Sequence, residues 1–426
     1  MNAAVALALI FFFAVSVPVA VAIGLAAMSG LAFFTSVPLL VAPQRMFVGL
    51  DSFPLMAVPF FILAGNIMAV GGVAARLVDF AKALVGGMQG GLAASCVVTC
   101  MIFAAVSGSS VATTFAIGTI LIPAMVKHKY PTPMAASIQA SSAELGVIIP
   151  PSVPLILYGV STETSVGQLF MAGLGPGFLI GGALVLMVTV WCRLKGYGKE
   201  DGDNRAPLGP AFLRAIWALL MPIIIIGGIY GGVFTPTEAS AVAVFYGLFL
   251  GMVIYRTVSY RDLPRILRES VVSSGAVMLI ISSAALLSFV ISRSGLPSEV
   301  GAWAKSAFDD KYSFLLAINA LLFVVGMFVE TSAAILILAP ILAPVAVAFG
   351  VDPVHFGVIV VVNLALGMFT PPLGVNLFAA CQVAKMPVER IFGSLLAPVV
   401  TVLACLMLVT YVPAVSLFLR DFMFQG

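Results

Sequence analysis

Apolar residues fill almost the whole chain, so the information lies in where the run is interrupted. Residues 3–43 are apolar throughout, punctuated by Pro18, Gly24 and Gly30, which predicts two tightly joined helices. A short polar turn is predicted over 44–52, then a helix over 53–72 ended by Gly71 and Gly72. Within 73–85, Arg76, Asp79 and Lys82 recur every three positions, the pattern of a helix lying in the membrane interface. Two apolar arms, 86–106 and 111–126, flank Ser107-Gly108-Ser109-Ser110. That tip is less polar than a turn at a far membrane surface, so a re-entrant hairpin is expected rather than two ordinary spans. Residues 131–158 form a membrane-length segment interrupted by Gly146 and Pro150-Pro151, and 169–192 form a full span. Spans are predicted again over 215–235, 238–255 and 271–291, with Thr235 as an N-cap before Glu238. After a charge-balanced stretch at 296–311, the arms 312–329 and 332–349 make a second hairpin. Val329, Glu330, Thr331 and Ser332 stand at its tip. A second interrupted segment covers 354–382, and a final span covers 391–413.

The two interruptions are copies of each other. Leu145-Gly146-Val147-Ile148-Ile149-Pro150-Pro151 returns 221 residues later as Leu366-Gly367-Met368-Phe369-Thr370-Pro371-Pro372. The same spacing pairs Pro123 with Pro344 and Ser109-Ser110 with Glu330-Thr331. After one inserted residue, Leu169-Phe170 matches Ile391-Phe392 and Pro176 matches Pro398. Proline inside a helix removes a donor and clashes one turn upstream, at about 3 kcal/mol or more. Within hydrocarbon the freed backbone groups need partners, so such breaks persist where protein or a polar cavity supplies them. Paired breaks in corresponding halves point to the binding site of a secondary transporter. The chain then divides into scaffold helices and an interfacial arm (1–85), a first transport half (86–192) and a linker (193–214). A second scaffold and arm (215–311) and a second transport half (312–426) follow.

Composition agrees. Of 426 residues 62% are hydrophobic and 9% charged, against about 25% charged in soluble domains. This is an all-α polytopic membrane protein with room for about a dozen embedded segments. A net charge of +3 gives no indication of nucleic acid. Lys195, Lys199 and Arg205, and later Arg256, Arg261, Arg265 and Arg268, mark two cytoplasmic loops separated by two spans. The hairpins then open from opposite faces, an inverted-topology repeat with both termini periplasmic. The first apolar stretch lacks a basic lead and is expected to be a transmembrane helix rather than a signal peptide. No soluble domain is visible, so capture of solute from solution is assigned to another chain. The five cysteines lie in apolar segments and are expected to serve packing.

Hairpin tips and broken helices expose carbonyls and amides together. Hard cations take oxygen ligands, and helix N-termini suit carboxylates. Two sodium sites are expected, one from Ser107, Ser109, Ser110 and Gly146 with Pro150 and Pro151 beside it. The other is expected from Glu330, Thr331, Gly367 and Thr370 with Val329, Ser332 and Pro371. An anionic solute would lie between them. Glu144 and Glu330 are intramembrane acids, functional by default or structural partners of neighbouring groups. Asn363 and Asn376 flank the second break, as clamps or as ligands. His128 and His355 sit at helix ends, as interfacial residues. An enzyme would need clustered acids, histidines or metal ligands, and the sequence offers scattered singles. No organic cofactor is implied.

The runs Val106–Gly118, Leu145–Ser152, Tyr230–Val244, Glu330–Leu342 and Leu366–Phe378 carry a resemblance that covers essentially the whole chain. It resembles the large membrane subunit of tripartite ATP-independent periplasmic (TRAP) transporters. One departure is Val111, where many members have proline. The resemblance implies sodium-driven, elevator-type import of an organic acid across the bacterial inner membrane. It implies two partners, a small four-helix membrane subunit (expected as a separate chain) and a soluble periplasmic substrate-binding protein. Sialic acid, C4-dicarboxylates, keto acids and sugar acids all remain open. Two tips imply at least two sodium ions. A stand-alone sodium/organic-anion symporter is the alternative.

Overall fold

The computed structural model describes residues 1–199 and 207–424, so Glu200, Asp201, Asp203 and Arg205 of the expected linker lie outside the described residues. Every regular element among the described residues is helical. Nine of these helices are long and apolar enough to cross a membrane, and a tenth crossing is a helix pair bent by 44° at its break. Leu7, Phe33, Leu186 and Phe245 are exposed on the outside of the bundle, where lipid is as apolar as the side chains themselves.

The chain opens with α1 (Asn2–Ala14), α2 (Val19–Phe34), α3 (Val41–Val48), α4 (Ala57–Val70) and α5 (Val73–Val85). The polar turn expected over 44–52 is helical as far as Val48. Gln44 and Arg45 are good helix formers, and the Arg45 guanidinium lies 4.4 Å from the centre of the Phe289 ring. The first hairpin is α6 (Gly91–Ser107) and α7 (Ser110–Lys127). The first interrupted helix is α8 (Thr132–Ala143), α9 (Leu145–Ile148) and α10 (Val153–Ser161), and α11 (Val166–Lys195) follows.

The second half contains α12 (Leu208–Tyr230), α13 (Pro236–Phe249), α14 (Leu263–Ser294) and α15 (Leu296–Ala307). Thr235 and Glu238 close a reciprocal cap at the start of α13. Helix α14 begins earlier than the apolar run, so Arg265 and Arg268 ride on its first turns rather than in a loop. The second hairpin is α16 (Lys311–Phe328) and α17 (Thr331–Ala348), and the second interrupted helix is α18 (Pro353–Met368) and α19 (Val375–Ala384). The last span, α20 (Phe392–Tyr411), is followed by a helix the apolar pattern did not announce, α21 (Ala414–Phe424). Its Arg420 pairs with Asp352 at 2.6 Å, and its Ser416 hydroxyl lies 2.7 Å from His355 Nδ1.

The repeat is visible in three dimensions. Helix α17 begins and ends 221 residues after α7. Cis peptide bonds occur at Pro150-Pro151 and Pro371-Pro372, at the same spacing. The halves also interlock: α19 packs on α7 and α8, and α10 packs on α17 and α18. Each interrupted helix therefore sends its far piece into the other half. The arm α5 lies on α6 and α12, α4 lies between α13 and α14, and α1 to α3 form a smaller cluster on α14.

Candidate functional site

At the first tip α6 stops because Gly108 turns left-handed, with φ of +61°. Ser109 then caps α7 by accepting from the Ala112 amide at 3.4 Å. The Ser107 hydroxyl lies 2.9 Å from Thr113 Oγ1, and both donate to the Ser109 carbonyl, at 3.2 and 2.8 Å. This tip rests on the first break: the Val153 amide donates to the Gly108 carbonyl at 3.4 Å. A Cβ on Gly146 would lie 2.8 Å from Thr113 Oγ1 and 2.9 Å from the Ser109 carbonyl oxygen. Three neutral oxygens therefore converge over a position that only glycine leaves open. Ser107 and Ser110 are buried, which is how a hairpin enclosed by protein differs from a turn at a surface. Within the break the Ser152 hydroxyl donates to the Val147 carbonyl at 2.5 Å and caps α10. That bond answers one of the carbonyls freed by the Pro150-Pro151 pair.

The second tip has the same backbone and different chemistry. Glu330 caps α17, accepting from the Ser332 and Ala333 amides at 2.9 and 3.2 Å and from the Ser332 hydroxyl at 2.9 Å. The N-terminus of α17 thus already holds a carboxylate. Thr331 is buried, and its hydroxyl donates to the Met368 sulfur at 2.8 Å, leaving the hydroxyl oxygen's lone pairs uncommitted. Thr370 donates to the Leu366 carbonyl at 2.7 Å within the second break. A Cβ on Gly367 would come within 2.3 Å of the Gly326 backbone, so α16 and α18 touch there through bare peptide.

Between the tips lies a cavity of about 360 Å³, within the range of small-molecule sites. The first tip supplies Ser107 to Ala112, and the second supplies Glu330, Ser332 and Met368. The opposite wall is Ile62, Gly65 and Asn66 of α4 with Ser273 and Val277 of α14. No lysine, arginine or histidine lines it among the described residues. The first turn of α7 is therefore the electropositive element of the wall, through its amides and dipole.

The expected residues separate into two groups. Ser107, Gly108, Ser109, Ser110, Glu330 and Ser332 line the cavity, while Gly146, Thr331, Gly367 and Thr370 form the floors beneath the tips. Asn363 is turned away: its amide donates to Asn319 Oδ1 at 2.7 Å, and Asn319 donates to Thr410, tying α18 to α16 and α20. Asn376 bonds to Glu144, across the two halves. Sequence reasoning missed Thr113, Asn66, Ser273 and Met368. Thr113 stands one turn after Ser109 on α7, and Asn66 is a lone amide in an apolar helix that donates to Ser270 at 2.8 Å. Both signals were present in the pattern. No cluster of histidine, cysteine and acid suited to a metal ion occurs among the described residues.

Comparison with known proteins fits this geometry. Similarity of fold extends to the crystal structure of the YdaH transporter of Alcanivorax borkumensis, with a TM-score of 0.66 and 16% identity over 88% of this chain and 89% of that one. A C4-dicarboxylate TRAP transporter large permease protein, DctM of Rhodobacter capsulatus, is 41% identical over 95% of each chain. A sialic acid TRAP transporter large permease protein, SiaM of Vibrio cholerae, is 37% identical over 95% of each. The isethionate TRAP transporter permease protein DctMQ of Oleidesulfovibrio alaskensis is 43% identical over 96% of this chain and 64% of its own length. Residues 6–415 match the family described as "Tripartite ATP-independent periplasmic transporter, DctM component". With two interlocked hairpins, two proline-broken helices and near full-length relatives of one kind, the chain belongs to the DctM family of TRAP transporter large permeases.

Proposed function

We propose that this chain carries out sodium-coupled import of a small organic acid across the bacterial inner membrane. Solute is delivered by a soluble periplasmic binding protein, and a small four-helix membrane subunit completes the complex. The observation that carries this reading is the cavity between the tips, walled on one side by both hairpins and on the other by α4 and α14. A wall of two kinds suits an elevator, in which hairpins and interrupted helices move as one body past fixed helices. The carboxylate of the solute would be received at the first turn of α7, where serine hydroxyls and helix amides replace a basic side chain. Sodium, a co-transported substrate, would be held by neutral oxygens near Ser107, Ser109, Thr113 and Gly146, and at the second tip near Glu330, Thr331, Gly367 and Thr370. Both termini would be periplasmic.

Magnitudes favour at least two ions. One charge crossing 100 mV is worth about 2.3 kcal/mol, and a tenfold gradient about 1.4 kcal/mol. One sodium with a monoanion moves no net charge and leaves about 1.4 kcal/mol. Two sodium ions with a monoanion leave roughly 5 kcal/mol, enough for accumulation of several thousandfold. Uptake by proteoliposomes containing both membrane subunits, with and without the soluble partner encoded beside them, tests the assignment. Dependence on both sodium and the soluble protein is expected. Uptake independent of the soluble protein would mean a stand-alone symporter.

A further inference from the structure

Glu144 closes α8 and Asn376 stands in the first turn of α19, so this pair joins the first interrupted helix to the second. Both side chains are buried, 2% and 0% exposed. Asn376 Nδ2 donates a short hydrogen bond to Glu144 Oε1. The other two oxygens, Glu144 Oε2 and Asn376 Oδ1, are buried without any hydrogen-bond partner. The formal charge that acts on Glu144 belongs to Glu330, another acid. The other titratable groups on the helices packed around α8 and α9 bring no cation. Cys96, Cys100, Cys381 and Cys405 are thiols, while Tyr158 and Tyr411 bond to backbone carbonyls. His355 bonds to Ser416 and Thr410. Lys127, Arg193 and Lys195 sit in the last turns of α7 and α11, at the ends of those helices.

A bare carboxylate in such a place is costly. Neutralisation calls for either a metal cation or a proton, and the two differ in what they need. A hard cation takes about six oxygens, whereas the pair has two free ones. A proton needs one donor atom and one acceptor. Placed on Glu144 Oε2 and donated to Asn376 Oδ1, it closes a two-bond acid–amide ring and leaves neither oxygen unsatisfied. We propose that Glu144 is a proton-binding site, a neutral carboxylic acid paired with Asn376, which locks the two interrupted helices together. Loading takes one proton from water, and release restores one negative charge to the centre of the bundle. The site is separate from the sodium positions at the tips and does not depend on which solute is carried.

Infrared spectra of the purified protein in heavy water at neutral pH test this. The wild type is expected to show a carboxylic-acid carbonyl band that Glu144→Gln lacks, and Asn376→Ala is expected to keep the band but shift it as the ring opens. Absence of the acid band in the wild type, or a band unmoved by Asn376→Ala, would overturn the proposal. So would its replacement by a carboxylate band on adding sodium chloride. Should Glu144→Gln fail to accumulate, Glu144→Asp serves, since it must move the same band. Thermal stability supplies a second readout: the folded state keeps a proton that the unfolded chain releases, so stability falls as pH rises. Glu144→Gln is expected to lose that slope, and equal slopes in the two proteins would count against the site.

Discussion

The two hairpin tips are related by the repeat and hold the same backbone path, yet their chemistry has parted. At the first, Ser107, Ser109 and Thr113 bring together neutral oxygens over Gly146, and the first turn of α7 faces the cavity with no acid of its own. At the second, Glu330 already occupies the amides of α17. A helix start that holds its own carboxylate repels a second one, and a helix start without one attracts it. The difference teaches that backbone symmetry supplies two similar frames, and that single side chains decide which frame takes an anion. On this account the solute's carboxylate belongs to the first tip, and the second tip favours cations alone.

Four experiments sharpen or break this contrast. The largest effect is expected from the glycines beneath the tips. Gly367→Ala puts a methyl into the Gly326 backbone, which cannot move aside, and should cost about 3 kcal/mol of stability. Gly146→Ala meets a threonine hydroxyl and one carbonyl. It should cost about 1 kcal/mol yet abolish uptake, since it fills the oxygen cradle. Thermal melts in detergent beside uptake assays separate the two, and equal melts would mean that the floors are equivalent. Next comes charge. Glu330→Gln keeps an acceptor for the α17 amides but removes the negative charge, and should weaken apparent sodium affinity about tenfold, or about 1.4 kcal/mol. Ser109→Ala removes a cap worth about 1 kcal/mol and should raise the solute KM more than the sodium one. A shift confined to sodium for both variants would contradict the division of labour.

Smaller still, Asn66→Ala removes a polar group from the fixed wall and its bond to Ser270. A net hydrogen bond is worth about 1 kcal/mol, so the solute KM should rise about fivefold with kcat nearly constant. Far from both tips, burial of Asp352 raises its pKa, but Arg420 and the His355 and Val354 amides outweigh it and hold the carboxyl below its ordinary value. Its contribution is present above the ordinary aspartate range and is lost as pH falls through the depressed value. Because the pair is partly exposed, Arg420→Ala should cost under about 1 kcal/mol. Protease access to α21 should rise on acidification in the wild type, and an unchanged digestion pattern would remove this contact from the account.

Much of the architecture was legible because hydrocarbon leaves the backbone few choices. Glycine and proline in an apolar run can mean little other than a break, so Gly146, Pro150 and their copies fixed the repeat, and the tips followed from their spacing. What escaped notice depends on which way a helix faces. Asn363 and Asn376 flank the same break, but one clamps α16 and the other reaches Glu144, and sequence does not record that rotation. Thr113 and Asn66 were passed over as ordinary members of spans, although each is polar where the helix is otherwise apolar. Helix α21 was missed because its Arg420 and Asp421 break the apolar run that marks a span.

The most direct test of the central claim is the transport current of the complete complex in proteoliposomes as sodium is varied at fixed solute. If the tips hold at least two cations alongside one carboxylate, positive charge moves inward with the solute, and the current rises sigmoidally with sodium. Uptake without current, with a simple hyperbolic dependence on sodium, would contradict it.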